Sequence, residues 1–456
     1  MLTARINLVR FWRGSLSIIY DIPEIGRGRG ATGRLRIPPG VDVPLTSRVR
    51  RLIDAKGFRR LAGISQLGLV RLIYPGANHT RQEHSLGVFL AAIEYLDHLA
   101  AQPRFGAAIS PKDAELLLAA ALLHDVGHWP FGHPIEDLEI PEIPHHESLA
   151  AREITSGPIA EILRNDWQLE PRAVSQLLRG EVHSPSERLL RSILSGPIDV
   201  DKIDYLTRDS LHAGVPYGQN FDRRRLISSL CLNEAGDALA ITDKGKTAAE
   251  MMVFARYVMF SEVYWHHAVR SATAMFQRAF FSLRGRLNLE ELVTMTEQPF
   301  IESLQAAAHE DGSAALLDGI FGPERALYKR LSQYNIFEEP DLYRRIARRP
   351  YAQLAALAER IAQMLSSALH TEVLPHEVLV DAPPAKLEVD FNVAVYFEKQ
   401  DVYRNLGDIS PVVRTLAQEQ FDNYVKRVRI FVHPRIAPAA RNLPGLASRL
   451  AETICS

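Results

Sequence analysis

The sequence predicts a mainly α-helical protein with a small β hairpin and a mixed α+β C-terminal region, and three observations carry that expectation. Apolar residues recur at helical spacing from about residue 46 onward. The segment Ala114-Glu-Leu-Leu-Leu-Ala-Ala-Ala-Leu-Leu-His124 is apolar on every side, as a helix buried in a core must be. Runs rich in β-branched and aromatic residues come late, at 391–397 and 425–432.

In chain order, residues 1–45 read as an N-terminal arm. It holds a strand-like piece, Leu16-Ser-Ile-Ile-Tyr20, and a Gly/Arg-rich stretch, Gly26-Arg-Gly-Arg-Gly-Ala-Thr-Gly-Arg-Leu-Arg36, closed by Pro38-Pro39. Gly28, Gly30 and Gly33 satisfy G-x-G-x-x-G, but Arg-Leu-Arg-Ile-Pro-Pro follows, so no helix N-terminus is expected to receive a pyrophosphate. The arginines read as a solvated loop, with a phosphate or partner contact as the minority reading. Residues 46–285 form the expected helical core, with helices over 49–56, 85–100 and 114–124. Ser110 is a good N-cap, Pro111 sits at the start of the third helix, and Gly127 follows its end, the Pro-in, Gly-out asymmetry of helix termini. Further helices are expected at 146–155, 158–165, 171–179, 186–195, 199–210 and 246–284. A hairpin is expected at 238–242, after the turn-forming Gly236-Asp237. A helical extension over 286–369 and the mixed region over 370–456 complete the chain.

The length of 456 residues is about three times a typical domain of roughly 150. A hydrophobic fraction of 46% and a charged fraction of 23% exclude collagenous and disordered classes. With Lys+Arg at 53 against Asp+Glu at 54, net charge gives no indication of nucleic-acid or anionic-lipid binding. Cys231 and Cys455 build neither a disulfide framework nor a thiolate metal site, so a reducing cytoplasm is expected. No stretch is long and apolar enough to cross a membrane, and the opening residues lack a signal peptide's apolar run.

Of the 16 histidines, His79, His84, His98, His124, His128, His133, His145 and His146 crowd into 79–146. A buried imidazole or carboxylate is costly unless it is hydrogen-bonded or binds a metal, and His124-Asp125 ends the most apolar helix of the chain. Helix capping explains such a pair, and so does a divalent cation taking nitrogen and oxygen together. The turn that follows, Gly127-His-Trp-Pro-Phe-Gly-His133, can fold imidazoles back toward the same point. Upstream, Arg81-Gln-Glu-His84 opens a helix where anions are favoured. Downstream, Asp201, Tyr205 and Asp209 stand at i, i+4 and i+8, with Lys202 one step round. A solvated surface helix accounts for those charges, but not for the apolar segment that leads into them.

Four ordered blocks carry a resemblance. They are Tyr74-Pro-Gly-Ala-Asn-His-Thr-Arg-Gln-Glu-His-Ser-Leu-Gly-Val88, Leu123-His-Asp-Val-Gly-His-Trp-Pro-Phe-Gly-His133, His146-Glu-x-x-Ala and Ile198-Asp-Val-Asp-Lys-Ile-Asp-Tyr-Leu-x-Arg-Asp209. Together they resemble the HD-domain deoxynucleoside triphosphate triphosphohydrolases, a family that includes a vertebrate member with a sterile-alpha-motif domain. The likeness spans about 46–285. Arg256-Tyr-x-Met-Phe-x-x-Val-Tyr264 and Val425-Lys-Arg-Val-Arg-Ile-Phe-Val432 extend it more weakly.

The resemblance implies an HD-domain helical core and one divalent metal ion (Mn, Fe, Mg, Ni or Zn) on His84, His124, Asp125 and Asp201, with a second Mg accompanying the triphosphate as a further expectation. It implies that Arg81, His128, His133, Lys202 and Arg256 surround the triphosphate, with His133 and His146 near the scissile bond and Glu136 behind His133. Gln66, Tyr205 and Asp209 would meet the sugar 3′-hydroxyl, and Tyr264 would exclude a 2′-hydroxyl. The reaction implied is hydrolysis at the α-phosphorus to nucleoside and triphosphate, in a homo-oligomer (dimer or tetramer). Animal members bind an activating guanine nucleotide through an Asp-Pro-Val-His-Gly segment that this sequence lacks. Of the helix positions they also use, Asp54 is kept while Arg59 and Ala62 replace the others. Two rivals stand beside this reading: an HD phosphohydrolase acting on another nucleotide or on single-stranded nucleic-acid ends, and a non-catalytic nucleotide- or nucleic-acid-binding protein.

Overall fold

In the computed structural model, which describes residues 18–25, 30–308, 312–383, 392–416 and 425–456, three helices frame the core. The helix Arg81–Leu99 packs against both Pro111–Leu123 and Val200–Ala213. The middle one starts as its sequence dictates. Ser110 Oγ accepts from the Asp113 N–H at 3.2 Å while Asp113 accepts from the Ser110 N–H at 2.9 Å, a reciprocal cap with Pro111 at the first helical position. Leu117, Leu118, Leu122 and Leu123 are fully buried. At about 2 kcal/mol per buried leucine, they outweigh the roughly 1–3 kcal/mol that an imperfectly satisfied polar group at the helix end costs. The fold can therefore carry polar chemistry there.

The helices His146–Thr155, Gly157–Asn165, Pro171–Arg179 and Pro185–Leu194 follow the sequence expectation to within a residue or two. The stretch 246–284 does not run unbroken. Lys246–Met259 passes into a π-helical turn, Phe260–Tyr264, before His267–Leu283 resumes. The wider turn swings Tyr264 so that its hydroxyl donates to Asp209 Oδ2 at 2.6 Å, and single π turns of this kind are frequent at functional sites.

The strands, in chain order, are β1 (Gly33–Ile37), β2 (Val41–Leu45), β3 (Leu230–Leu232), β4 (Leu239–Thr242), β5 (Lys329–Tyr334), β6 (Val378–Asp381), β7 (Ala394–Phe397), β8 (Val402–Asn405) and β9 (Val428–Val432). β1 and β2 form an antiparallel hairpin. The expected hairpin at 238–242 is β3 and β4, with Leu230 opposite Ile241. It grows into a four-stranded sheet, β3-β4-β7-β8, in which β4 and β7 run parallel. The third sheet, β5-β9-β6, is antiparallel and lies against the helix Tyr351–Leu369. β5 interrupts the expected helical run. Its Lys-Arg-Leu-Ser-Gln-Tyr is no strand by composition and becomes one by pairing with the fully buried β9, almost a hundred residues on.

Two readings of the first 45 residues change. Ile18–Asp21 is a 3₁₀ turn rather than a strand, and Ile19, Ile22 and Ile25 are buried in the core; Leu16 lies outside the described residues. Within the Gly/Arg stretch, residues 26–29, and with them Gly28, lie outside the described residues, while Gly33 begins a strand that turns into β2 rather than into a helix. Phe391 also lies outside the described residues, and the strand expected there is β7.

Candidate metal centre and active site

Three helix ends deliver the polar groups. Thr80 caps the first helix, its Oγ1 accepting from the Glu83 N–H at 3.3 Å, so Arg81 and His84 stand buried in the opening turn. His124 closes the buried central helix, with Asp125 directly after it. Asp199 caps the third helix by accepting from the Lys202 N–H at 2.7 Å, which puts Asp201 in its first turn. Gly87 matters to this assembly. A Cβ there would collide with Asp204 and Arg208, which press against the first helix.

The imidazoles of His84 and His124 meet with their Nε2 atoms 3.2 Å apart. Each has its other nitrogen committed: His84 Nδ1 lies 2.9 Å from Asp204 Oδ2, and His124 Nδ1 lies 2.9 Å from the Ala121 carbonyl oxygen. A cation between the rings would take both Nε2 lone pairs, with the protons kept on the two Nδ1 atoms. Asp201 Oδ1 lies 3.0 Å from His84 Nε2, and Asp125 Oδ1 lies 3.4 Å from His124 Nε2. Two imidazole nitrogens backed by second hydrogen bonds, with two carboxylates beside them, fit a divalent ion of borderline hardness. His84, His124 and Asp201 form a possible metal site by proximity alone.

The electrostatics agree with that donor set. Burial alone would lower the His84 pKa, but the hydrogen bonds to Asp201 and Asp204 reverse this and raise it to about 10. The two carboxylates thus draw a single positive charge onto the ring. Burial would raise Asp125, yet His124, Arg81 and His84 together hold its carboxyl below the usual range. Arg81 Nη1 donates to Asp125 Oδ2 at 2.8 Å, both groups being buried.

The turn after the helix brings the remaining histidines alongside. His128 stacks on His146 with ring centroids 3.9 Å apart, and its Nε2 lies 3.3 Å from Asp125 Oδ1. Gly127 permits this approach, because a Cβ would strike the backbone of His146 and Ala150. His146 Nδ1 is held between both oxygens of Glu136, at 2.9 and 3.0 Å, and its backbone N–H also donates to Glu136. Nε2 is therefore the nitrogen His146 offers to the cavity. His133 is 60% exposed along its side chain, and its nearest Glu136 oxygen is 3.9 Å away.

A cavity of about 310 Å³ opens on this assembly. Of the residues named from the sequence, Gln66, Arg81, His84, His124, Asp125, His128, His133, His146, Asp201 and Tyr205 line it. Glu136, Lys202, Asp209, Arg256 and Tyr264 do not. Glu136 stands behind His146 rather than behind His133; Lys202 Nζ donates to Asp199 at 2.6 Å; Asp209 lies between His79 and Tyr264; and the Arg256 guanidinium lies 5.6 Å from the centre of the Phe260 ring. The sequence reading missed Asp204, the partner of His84, and Arg191, a cation in the cavity wall whose Nη1 donates to the Leu178 carbonyl at 2.6 Å. Asp204 was recoverable from its spacing, three residues after Asp201 and four before Arg208. Nothing local marks Arg191.

Comparison with known proteins bears on the same residues. The HD domain model matches residues 81–209, and that of the HD associated region matches residues 221–438. An uncharacterized protein of Bacillus subtilis is 31% identical over 62% of this chain and 67% of its own length. The deoxynucleoside triphosphate triphosphohydrolase SAMHD1 of Gallus gallus is 29% identical over 67% of this chain, which spans 56% of that protein. A crystal structure of a hypothetical protein from Aquifex aeolicus superposes with a TM-score of 0.68 at 26% identity, covering 90% of this chain and 98% of that one.

Proposed function

This chain belongs to the family of HD-domain phosphohydrolases that carry an HD associated region, and on that premise we propose that it hydrolyses deoxynucleoside triphosphates to the deoxynucleoside and inorganic triphosphate. The observation that carries the reading is a two-imidazole, two-carboxylate donor set opening into a cavity whose wall also bears Arg81, Arg191, His128, His133 and His146. A triphosphate is a dense anion and needs such surroundings.

His84, His124, Asp125 and Asp201 would hold the divalent ion, which when bound supplies Lewis-acid charge at a phosphate oxygen. Arg81 and Arg191 bind and neutralise the phosphates, in a pocket whose dipoles need no reorganisation as charge develops. Water oxygen bonds to the α-phosphorus, the bond from phosphorus to the 5′-oxygen breaks, and the departing oxygen takes a proton. His146 is the donor the geometry favours, because Glu136 fixes its Nδ1 and leaves Nε2 facing the cavity. The proton lost by the water passes to solvent. Gln66 and Tyr205 form the wall suited to a sugar edge. Gln66 Oε1 is buried without a hydrogen-bonding partner, and a ligand hydroxyl would satisfy it.

Product identity tests the proposal. In ¹⁸O-water, a panel of deoxynucleotides incubated with the metal-loaded protein is expected to yield unlabelled nucleoside and triphosphate carrying the label. A nucleoside monophosphate or free phosphate as first product would assign the site to another phosphohydrolase reaction. Assembly into a homo-oligomer, which the family resemblance implies, is open to measurement by light scattering. Among the described residues, no helix is long and apolar enough to cross a membrane.

A further inference from the structure

The helix Val200–Ala213 presents three polar residues on one stripe toward the helix Arg81–Leu99: Asp201, Asp204 and Arg208, at i, i+3 and i+7. Asp201 belongs to the metal donor set, whereas Asp204 and Arg208 belong neither to it nor to the cavity wall. Both are buried. Asp204 Oδ2 lies 2.9 Å from His84 Nδ1 and also accepts from Arg208 Nε at 2.8 Å, while Oδ1 accepts from Arg208 Nη2 at 2.8 Å. A carboxylate held in this way can only accept, so a His84 proton sits on Nδ1 and Nε2 is the nitrogen left for a cation. Arg208 Nη1 donates to Glu83 Oε1 at 2.6 Å and to the Pro38 carbonyl at 3.2 Å, where β1 turns into β2. Each nitrogen of the guanidinium is therefore engaged.

Gly87, three residues after His84 on the facing helix, is the position that lets this pair in. Alanine is ordinarily preferred to glycine in the interior of a helix, yet a Cβ at residue 87 would collide with the Asp204 carboxylate and the Arg208 guanidinium. We propose that Asp204 and Arg208, admitted by the missing side chain of Gly87, are positioning residues of the metal centre, a clamp that fixes the ring orientation and tautomer of His84 and so sets the affinity for the divalent ion. The proposal rests on the metal-ion part of the function proposed above and not on its substrate. An imidazole whose second nitrogen donates to a carboxylate is a better metal ligand, and losing such a partner lowers affinity by about 10–100-fold. Without the Arg208 fork, the Asp204 carboxylate is free to turn away from Nδ1, and the ring with it.

The test measures the Mn²⁺ affinity of the whole chain after metal removal, reading free Mn²⁺ by electron paramagnetic resonance, beside thermal melting of the same samples. Gly87→Ala removes no polar group and no donor. It is nevertheless expected to weaken Mn²⁺ binding by about tenfold or more, although alanine stabilises a helix interior wherever there is room for it. Asp204→Asn, nearly the same shape but neutral, is expected to weaken binding by about 10–100-fold, and Arg208→Lys, which keeps the charge and loses the fork, by a smaller factor. Parental Mn²⁺ affinity in folded Gly87→Ala or folded Asp204→Asn would overturn the proposal; with a lowered melting temperature it would assign the clamp to packing alone. If Gly87→Ala does not fold, Asp204→Asn decides. An unaltered protein that binds no Mn²⁺, or binding that is undiminished when His124 and Asp125 are both replaced by alanine, would instead overturn the donor set proposed above and take this inference with it.

Discussion

Replacing His124 and Asp125 by alanine is expected to remove the bound metal and to lower kcat/KM by at least about 10³-fold, the scale on which Lewis-acid and oriented-charge contributions act. The pair supplies one nitrogen and one carboxylate of the donor set. Asp125 also anchors Arg81, with both groups buried and the contact at 2.8 Å. Removing one partner of such a pair typically costs about 3–5 kcal/mol, so Asp125→Ala is expected to melt well below the parent even where it folds. Asp125→Asn keeps an oxygen and a similar shape and separates the two effects. It should melt closer to the parent while still binding metal weakly. Metal content by atomic emission, read beside the melting curve and the rate, checks each part; a folded double variant that keeps both its metal and its turnover contradicts the assignment.

The second large effect is expected at the His146–Glu136 pair. His146→Ala should lower kcat by about 10²–10⁴-fold, the usual contribution of a positioned general acid. Metal content should stay at the parental level, because neither residue belongs to the His84, His124, Asp125, Asp201 set. Glu136→Gln is the finer probe. Its amide can still accept from the His146 backbone N–H, but it no longer offers two anionic oxygens to Nδ1. A smaller fall in kcat with little change in KM is therefore expected, measured under single-turnover conditions so that product release does not mask the step. An unchanged single-turnover rate in His146→Ala would move the proton donor to His133 or to water.

Much of this site is legible in the amino-acid sequence. The helix that ends at His124 declares itself by eight consecutive apolar residues between a Ser-Pro start and a Gly exit, a case where cap, periodicity and burial agree. Local patterns place His84, His124 and Asp201 only at helix starts and ends; their meeting in one site is what the resemblance carried by the ordered blocks implies. What the sequence hid is what depends on distant pairing. β5 is polar in composition and takes its conformation from β9. Asp204 reads as one more charge on a charged helix until His84 and Arg208 are seen on either side of it. Lys202 looked free to meet a phosphate, yet its cap residue Asp199 holds it. Glu136, placed behind His133 by resemblance, bonds closely to His146, because the turn through Phe131 adopts a left-handed backbone (φ 55°) that no local rule anticipates.

A crystal of the metal-loaded protein measured at the absorption edge of its bound ion gives the most direct reading of where that ion sits. A single anomalous peak is expected between His84 Nε2 and His124 Nε2, with oxygens of Asp125 and Asp201 completing the set at about 2.0–2.2 Å. A peak only among His133, Glu136 and His146, which also lie close enough to share an ion, or no peak in protein that turns over substrate, would contradict it.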